Sequence, residues 1–569
     1  MRRPSATPLL PVLSSALLGL ALLGVTLAMP FAALAAEEAP RAVTAARATA
    51  IPACSVFVDA ASKGGDGSVA KPHRTIGAAV EAAPAGAVIC VAEGAYSDAL
   101  APGAKHFTLA GGFQRGSGFK VRDSATYVSK VTGKGGSFLH IDQDAGPVNQ
   151  LTVIDGFDIS GFSQAILRDY WEPQRFDVTN NAIHDNTCSD ATRAGAGVAL
   201  INVSGSITGN VFRNNACGRG GAIFLNNANA VTIARNLIDG NAGTEPDSAH
   251  GGAVYVFGEA LTITGNLFTN NRVSQWGGGL YVGAYRPGNQ PTTATMSWNV
   301  YRGNKAGNSG GGFFCDDGAT CHSTHEIYAG NCGGNVLVDG GAQGSGPTVA
   351  TFDRITNVGA LSPDCKSPGT GLIVDTWEAL DADQYTVTNA IFWGNAPGQD
   401  FSTSCGSGCT GIKVAVSHAM VQTAYPKEGI AIKFGAGVVA PADPMFVAPD
   451  AGDYRLKAGS PARGKGVKGV DLGALGDGAA APVAAEPPAP AAPELAIEPE
   501  PKAEAPSAVA APEPPAKKAA RADPQLSAKE AFKAAKDLGT ADAWNAFLAS
   551  YPNGFEADLA RAYLKKLGQ

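Results

Sequence analysis

The stretch Asn210-Val-Phe-Arg-Asn-Asn215 decides the fold, because close variants of it return along the chain. The other copies are Asn181–Asn186, Asn236–Asn241, Asn266–Asn271, Asn299–Asn304 and the looser Glu326–Asn331. Their starting positions lie 26 to 33 residues apart. Self-similarity at such a period is typical of repeats that stack on one another to share a core. The sequence therefore predicts a solenoid.

Each copy is accompanied by short runs in which every second residue is apolar, such as Val231-Thr-Ile233 and Leu261-Thr-Ile263. This alternation is typical of β-strands with one buried face, and no copy contains an apolar run of helical length. Glycine, at 72 of 569 residues, clusters before the strands, where it can adopt positive φ. We expect an all-β parallel β-helix that rises about 4.8 Å per turn.

The terminal Asn of each copy has two structural interpretations. Its amide can point inward and hydrogen-bond the equivalent amide one turn away, as stacked Asn ladders do. Alternatively, the Asn is present because it tolerates the left-handed conformation of a tight turn. Neither interpretation gives the repeated phrase a catalytic role.

The phrase is followed in several copies by Gly-Gly and an apolar strand, as in Gly220-Gly-Ala-Ile223 and Gly251-Gly-Ala-Val254. Over residues 178 to about 335 this pattern resembles the repeat of the polymorphic outer-membrane autotransporter family. The resemblance implies a right-handed parallel β-helix.

Residues 55–96 predict a cap for one end of the coil. Ile76, Ala79, Val80 and Ala83 lie on one face of a short helix, for which Thr75 is a suitable N-cap. The segment resembles the N-terminal cap of secreted β-helix proteins of the pectate-lyase-like superfamily. Such a helix would cover the otherwise exposed core and strand edges.

Two further segments mark domain boundaries. The stretch from Asp443 to Pro461 resembles the ending of exported bacterial β-helix proteins described as choice-of-anchor Q, so we place the β-helix at residues 53–476. Residues 477–525 are rich in Ala, Pro and Glu and predict a disordered linker. Residues 526–569, with Trp544 and Phe547 on one helical face, resemble a small tetratricopeptide-like helical unit, a module that would engage a protein partner.

The first residues predict export. Arg2 and Arg3 precede an apolar segment, and Ala33-Leu-Ala35 provides small residues for cleavage, which indicates a signal peptide at residues 1–35 and a lead at 36–52. An uncleaved membrane anchor is the alternative. We expect no other integral membrane domain, and a periplasmic, cell-surface or extracellular location in a bacterium. The net charge of −7 and the absence of a basic patch disfavour nucleic-acid binding.

An exported chain with ten cysteines is expected to form disulfides. The candidate pairs are Cys188 with Cys217, Cys315 with Cys321, and Cys405 with Cys409. A zinc site built from Cys315, Cys321, His322 and His325 is the alternative, although the sequence favours oxidation over any metal. No cofactor is expected.

The catalytic motifs of polygalacturonases are reduced here to Asp316-Asp317. The sequence offers no set of acidic residues at turn spacing, and Asp177 and Asp239 are isolated. His250 is a candidate general base. The sequence therefore favours a non-enzymatic protein, with a polysaccharide lyase or glycoside hydrolase as the alternative.

Aligning the turns produces a different candidate site. The residues that follow the inward positions of one strand column should point outward, and they are aromatic in four successive turns. We expect an exposed aromatic row that binds glycan or envelope polymer, or one that is merely self-stacking and covered by the longer loops, such as residues 286–293. Its members are Phe224, Tyr255, Tyr281 and Phe314. On this basis we predict an exported adhesin or scaffold, with a purely structural spacer as a further alternative.

Overall fold

The computed structural model describes most of residues 50–476, together with a few short segments outside that range. The gaps within the range are residues 51, 104, 143–147, 191–192, 247–248, 285–291, 341–345, 377–382, 406–411 and 424–429. The outside segments are residues 43–44, 485–486, 544–545 and 547–548. The predicted signal peptide, almost all of the linker and most of the helical module therefore lie outside the described residues.

The chain coils through three faces, each built from parallel strands, which we call A, B and C in the order in which each turn visits them. The strands of face A are Val56–Val58, Val88–Ala92, Thr108–Phe113, Leu151–Asp155, Gln174–Thr179, Val203–Thr208, Val231–Ala234, Leu261–Thr264, Thr293–Ser297, Thr320–Thr324, Val349–Asp353, Gln384–Trp393, Lys413–Met420 and Ile432–Phe434. Each pairs in parallel with the strand one turn away.

Face B begins one corner after face A. Its strands are Gly94–Tyr96, Ser129–Thr132, Phe157–Ser160, Ala182–His184, Val211–Arg213, Leu237–Asp239, Leu267–Thr269, Val300–Arg302, Ile327–Ala329 and Thr356–Val358, followed by the second half of Gln384–Trp393. A minor sheet follows face B in four turns, formed by Ala216–Cys217, Ala242–Gly243, Arg272–Val273 and Lys305–Ala306.

Face C closes each turn. Its strands are Leu139–Ile141, Ile166–Arg168, Val198–Ile201, Ile223–Ala228, Val254–Gly258, Leu280–Gly283, Phe313–Asp316, Val336–Asp339, Leu372–Asp375 and Phe401–Thr403. The alternating side chains of all three faces point into one continuous core, which includes Ile233, Phe268 and Val254 at 0% exposure. Because neighbouring turns share this core, no single turn can bury its apolar side alone.

Two ladders of buried Asn side chains run along the corners, as the first of the two sequence interpretations predicts. In the ladder of terminal Asn residues, the Nδ2 of Asn215 donates to the Oδ1 of Asn241 at 3.0 Å, and Asn241 donates likewise to Asn271 at 3.1 Å. The other members are Asn186, Asn304, Asn331 and Asn335. The first Asn of each phrase forms a second ladder, which ends at Glu326.

The left-handed conformation belongs to the residue before each ladder Asn, not to the Asn itself. Asn214 and Asn270 have φ of 54° and 56° at this corner, and Gly240 and Gly303 have 68° and 64°. The second interpretation of the terminal Asn is therefore wrong. Each turn divides the two tasks between neighbouring residues, because an αL corner turns the chain while the next side chain satisfies buried backbone groups.

Additional elements lie at the two ends of the coil. The predicted cap helix is present as Ile76–Ala82, with Ala78 N donating to Thr75 Oγ1 at 3.2 Å and with Ile76, Ala79 and Val80 buried. At the other end Phe446–Ala448 and Asp453–Leu456 pair antiparallel around a 3₁₀ turn at Pro449–Ala451. We call this pair the C-terminal hairpin. A second 3₁₀ turn spans Val467–Gly469, and Val43–Thr44 pairs with Ala485–Glu486.

Disulfides cross-link the coil at several places. Cys188–Cys217 and Cys315–Cys321 are present, as the sequence predicts. Two further bonds join Cys54 to Cys90 and Cys332 to Cys365. Cys405 is also disulfide-bonded, whereas its predicted partner Cys409 lies outside the described residues. The four described bonds are typical of a protein in an oxidising compartment.

The chain divides into two units, residues 1–491 and 492–569. In the second unit Trp544 and Phe547 are helical and buried, at 1% and 4% exposure. The rest of the predicted helical module lies outside the described residues, so its extent stays a prediction. Within the described residues, no helix is both long and apolar enough to cross a membrane.

Candidate functional site

The outer surface of face C carries two columns of side chains in strict register. In the first column Phe224, Tyr255, Tyr281 and Phe314 are direct pairing partners from turn to turn, as the sequence alignment predicts. Leu337 and Ile373 continue the column in the next two turns. The side chains point away from the core because the residues on either side of each point inward.

Of the two alternatives for this aromatic row, the exposed row is wrong and the self-stacking, covered row is confirmed. Tyr255, Tyr281 and Phe314 are only 6%, 4% and 3% exposed, and Phe224 alone is partly accessible. The rings contact one another, with the centroids of Tyr255 and Tyr281 4.6 Å apart and those of Tyr281 and Phe314 5.2 Å apart. The row thus forms a small outer core of its own.

Neighbouring rings cover the row. Trp276 and His250, in the segments that lead into face C, stack on each other at 5.1 Å, and the His250 ring meets the edge of Tyr281 at 5.3 Å. Phe257 packs against Tyr255 from the next outward position at 4.7 Å. The candidate general base His250 therefore serves in this cover. The covering loop that the sequence proposed, residues 286–293, lies largely outside the described residues.

The second column is acidic. Asp316, Asp339 and Asp375 occupy the outward position two residues beyond Phe314, Leu337 and Ile373 in three successive turns. Asp339 and Asp375 are direct pairing partners. Adjacent members of such a column have Cα atoms about 4.8 Å apart. Asp316 is buried, Asp339 is partly buried and Asp375 is exposed, so the column opens to solvent towards its later end.

We call these three residues the acidic column. It corrects the interpretation that the sequence offers no acidic set at turn spacing. Asp317 follows directly at φ 48°, and its charge acts on both Asp316 and Asp339. The column was missed because its members are 23 and 36 residues apart, away from the period of the Asn phrase. A signal was present, since each face C strand here ends in three apolar residues followed by Asp.

Burial and mutual repulsion change the proton affinity of the column. Burial, together with the charges of Asp316, Asp375 and Asp317, raises the pKa of Asp339 to about 9. Burial also raises the pKa of Asp316, with a contribution from Asp317. Carboxyl groups crowded in one site cannot all ionise at neutral pH. Asp339 is therefore protonated at neutral pH.

Hydrogen bonds hold the two ends of the column. Tyr281 Oη donates to Asp316 Oδ2 at 2.6 Å, and Ser404 Oγ donates to Asp375 Oδ1 at 2.5 Å. The Tyr281 ring reaches Asp316 by lying over Gly283, where a Cβ would approach the Tyr281 hydroxyl to 2.7 Å. Because residue 283 has no side chain, the Tyr281 ring can lie over it and connect the aromatic row to the acidic column.

The other acidic candidates have structural partners. Asp177 accepts a hydrogen bond from Ser206 on face A, and Asp239 pairs with Arg213 and accepts from Thr269 on face B. The zinc alternative is wrong, because Cys315 and Cys321 are bonded to each other and so present no thiolates. Within the parts of the chain that the structure describes, no three His, Cys, Asp or Glu side chains are grouped closely enough to hold a metal ion.

Comparison with known proteins agrees with this architecture. Residues 122–290 and 170–350 match the family described as right handed beta helix region. The fold is a right-handed parallel β-helix. A crystal structure of pectate lyase Pel9A is 14% identical, with a TM-score of 0.40 over 74% of this chain and 97% of that one. A pectin methylesterase from Aspergillus niger is 12% identical, with a TM-score of 0.19 over 70% and 89%. No curated protein matches the chain.

Proposed function

We propose that the protein hydrolyses a polysaccharide at the acidic column. The observation that carries the proposal is the pairing of Asp339, whose largely buried site favours the protonated carboxyl group, with the exposed Asp375 on one outward surface. Hydrolysis of a glycosidic bond requires two carboxyl groups in different protonation states. The described disulfides support an oxidising compartment, where an exported enzyme would meet such a substrate.

The roles follow from the environments of the two groups. Asp339 keeps its proton at neutral pH because of burial and neighbouring charge, so it acts as general acid and protonates the oxygen of the leaving sugar. Asp375 is exposed, accepts a hydrogen bond from Ser404, and has its Cα about 4.8 Å from that of its pairing partner Asp339. Because such close carboxyl groups leave no room for a water between them, Asp375 acts as the nucleophile, as in retaining enzymes. Asp375 bonds to the anomeric carbon as the bond from that carbon to the leaving oxygen breaks and Asp339 protonates that oxygen. Water then bonds to the anomeric carbon, its proton passes to Asp339, and the bond to Asp375 breaks.

A panel of neutral and acidic polysaccharides tests the proposal. We expect new reducing ends with at least one substrate, and a loss of about 10²- to 10⁴-fold in rate for Asp339→Asn, the range that removal of a general acid gives. Asp177→Asn, an outward Asp on face A, is the matched control and should keep full activity. Unsaturated ends would show elimination and overturn hydrolysis. Binding without any product from the panel would overturn catalysis altogether.

A non-enzymatic adhesin or scaffold is the second candidate, favoured by the register of the aromatic row. Phe224 is the partly accessible member, and its ring stacks on Tyr255 with centroids 5.8 Å apart. Exposed rings of this kind provide apolar area for sugar faces. If the row binds polymer, Phe224→Ala weakens retention in a polysaccharide pull-down while reducing ends stay absent. Unchanged retention would exclude the row as the binding surface.

A further inference from the structure

A groove separates the C-terminal hairpin from the corners that follow face B. Its volume is about 770 Å³, and it crosses four successive turns of the coil. One side is the hairpin together with Met445, which precedes it; Met445 and Val447 are 37% and 39% exposed. Arg302 anchors the hairpin, since its Nη2 donates to the main-chain carbonyl of Asp450 at 3.1 Å. We call this feature the hairpin groove, and it is distinct from the acidic column on face C.

The floor of the groove is a row of glycines. Gly303, Gly330, Gly359 and Gly394 occupy the same αL corner in the four turns, with φ between 57° and 71°. A Cβ at Gly330 or Gly359 would meet no atom within 4 Å, so the space above the floor is open. Equivalent corners elsewhere carry Asp185, Asn214 and Asn270, whose side chains fill this position.

The backbone of the floor offers four acceptors, and its donors are satisfied except at Gly394, whose N–H donates to no residue that the structure describes. The N–H groups of Gly303, Gly330 and Gly359 are already bonded to carbonyls one turn away, at 3.1, 3.1 and 2.9 Å. The carbonyl oxygens of all four glycines accept no hydrogen bond from any residue that the structure describes. Because turns repeat about every 4.8 Å, these oxygens form a regular row of acceptors. A ligand that matches them must supply a series of hydrogen-bond donors.

The walls complete the description of that ligand. The half-buried indole of Trp393 lies beside the floor and provides an apolar face. Arg302 and Lys457 are balanced by Asp443 and Asp450, so the lining carries no formal excess charge. An extended peptide would present donors and acceptors in alternation, whereas the floor offers four acceptors and a donor only at Gly394. A chain of neutral sugars provides many hydroxyl donors and apolar ring faces together.

We propose that the hairpin groove binds a neutral oligosaccharide, with its hydroxyl groups donating to the glycine carbonyls and one ring stacked on Trp393. The site rests on its own contacts and does not depend on hydrolysis at the acidic column. It would hold a polymer on face B while leaving face C accessible.

Gly330→Asn tests the proposal without disturbing the coil, because Asn occupies the same αL corner in other turns. The full chain is titrated calorimetrically with neutral hexasaccharides of glucose, xylose and N-acetylglucosamine, a uronic acid hexasaccharide and an extended peptide. We expect at least one neutral hexasaccharide to bind, with affinity reduced at least tenfold by Gly330→Asn and by Trp393→Ala. The matched control is Gly240→Asn, the same corner outside the groove, which should leave affinity unchanged.

Several outcomes would overturn the assignment. These are the absence of binding by every neutral hexasaccharide, binding of the uronic acid or peptide probe alone, or equal affinity in wild type and Gly330→Asn. Thermal midpoints show whether the variants are folded. Asp339→Asn separates the two sites, since it should slow hydrolysis by about 10²- to 10⁴-fold and leave groove binding intact. Binding by a chain that releases no product would leave the groove assigned and the hydrolase proposal rejected.

Discussion

The turns between residues 181 and 331 and those between residues 332 and 476 share three faces, yet only the first group keeps the Asn phrase in regular form. In the regular turns the outward groups are paired with one another, as Asp239 is with Arg213 and Thr269. The acidic column and the hairpin groove both begin in the last regular turns and continue into the irregular ones. The regular turns thus form the scaffold, and the two candidate sites lie where the repeat becomes irregular.

The largest expected difference between the two regions concerns the ladder. Asn241→Ala removes the amide that accepts from Asn215 and donates to Asn271 and Phe212 O, all buried. We expect a loss of about 3 to 6 kcal/mol in the free energy of unfolding, because each orphaned buried group costs about 1 to 3 kcal/mol. In the irregular turns Asn395→Ala should cost less, since Asn395 makes fewer bonds. Equal losses of unfolding free energy for Asn241→Ala and Asn395→Ala in chemical denaturation would show that the two regions do not differ in this way.

The end of the second ladder gives a pH-dependent test. Glu326 occupies the place of an Asn, its Oε1 accepts from Asn299, and burial raises its pKa to about 8. Between the unfolded value near 4.5 and pH 8 the unfolded state binds fewer protons, so stability falls as pH rises through this window. As pH rises, the free energy of unfolding of Glu326→Gln should increase relative to that of wild type by at most about 1.4 kcal/mol per pH unit. A difference that stays constant from pH 5 to 8 would contradict this.

A smaller effect is expected where the aromatic row meets the acidic column. Tyr281→Phe removes the hydrogen bond to Asp316, which should cost about 1 to 2 kcal/mol and raise the pKa of Asp316 further, because that bond favours the ionised form. Tyr385→Phe is the control, since the buried Tyr385 hydroxyl has no hydrogen-bond partner among the described residues. Thermal unfolding at several pH values measures both variants. Similar losses of stability in Tyr281→Phe and Tyr385→Phe would show that the hydrogen bond from Tyr281 to Asp316 contributes little to stability.

The smallest effect is expected at the accessible end of the row. Phe224→Ala should cost about 1 kcal/mol, whereas Tyr255→Ala should cost about 3 kcal/mol or more, because only the second ring is buried on all sides. Unfolding free energies of the two variants check the difference. A larger loss at Phe224 would mean that the row is covered at this end also.

The sequence predicts the coil well because its period, its strand alternation and its Asn phrase all reflect contacts between neighbouring turns. It predicts the alignment of Phe224 with Tyr255 for the same reason. It leaves open whether Tyr255 is exposed or buried, since the covering rings of His250 and Trp276 come from segments outside the repeated phrase. Asp339 and Asp375 were missed because connections of unequal length separate residues that the sheet register brings together.

The disulfides change how the coil responds to cutting and pulling. Cys188–Cys217 and Cys332–Cys365 each join residues of adjacent turns, and they lie 29 and 33 residues apart in sequence. A protease that cleaves between the two members of a pair therefore leaves the fragments covalently attached. When a tensile load breaks the hydrogen bonds between turns, these two disulfides still hold the adjacent turns together. Reduction of these disulfides should therefore be needed before the solenoid can extend fully under load.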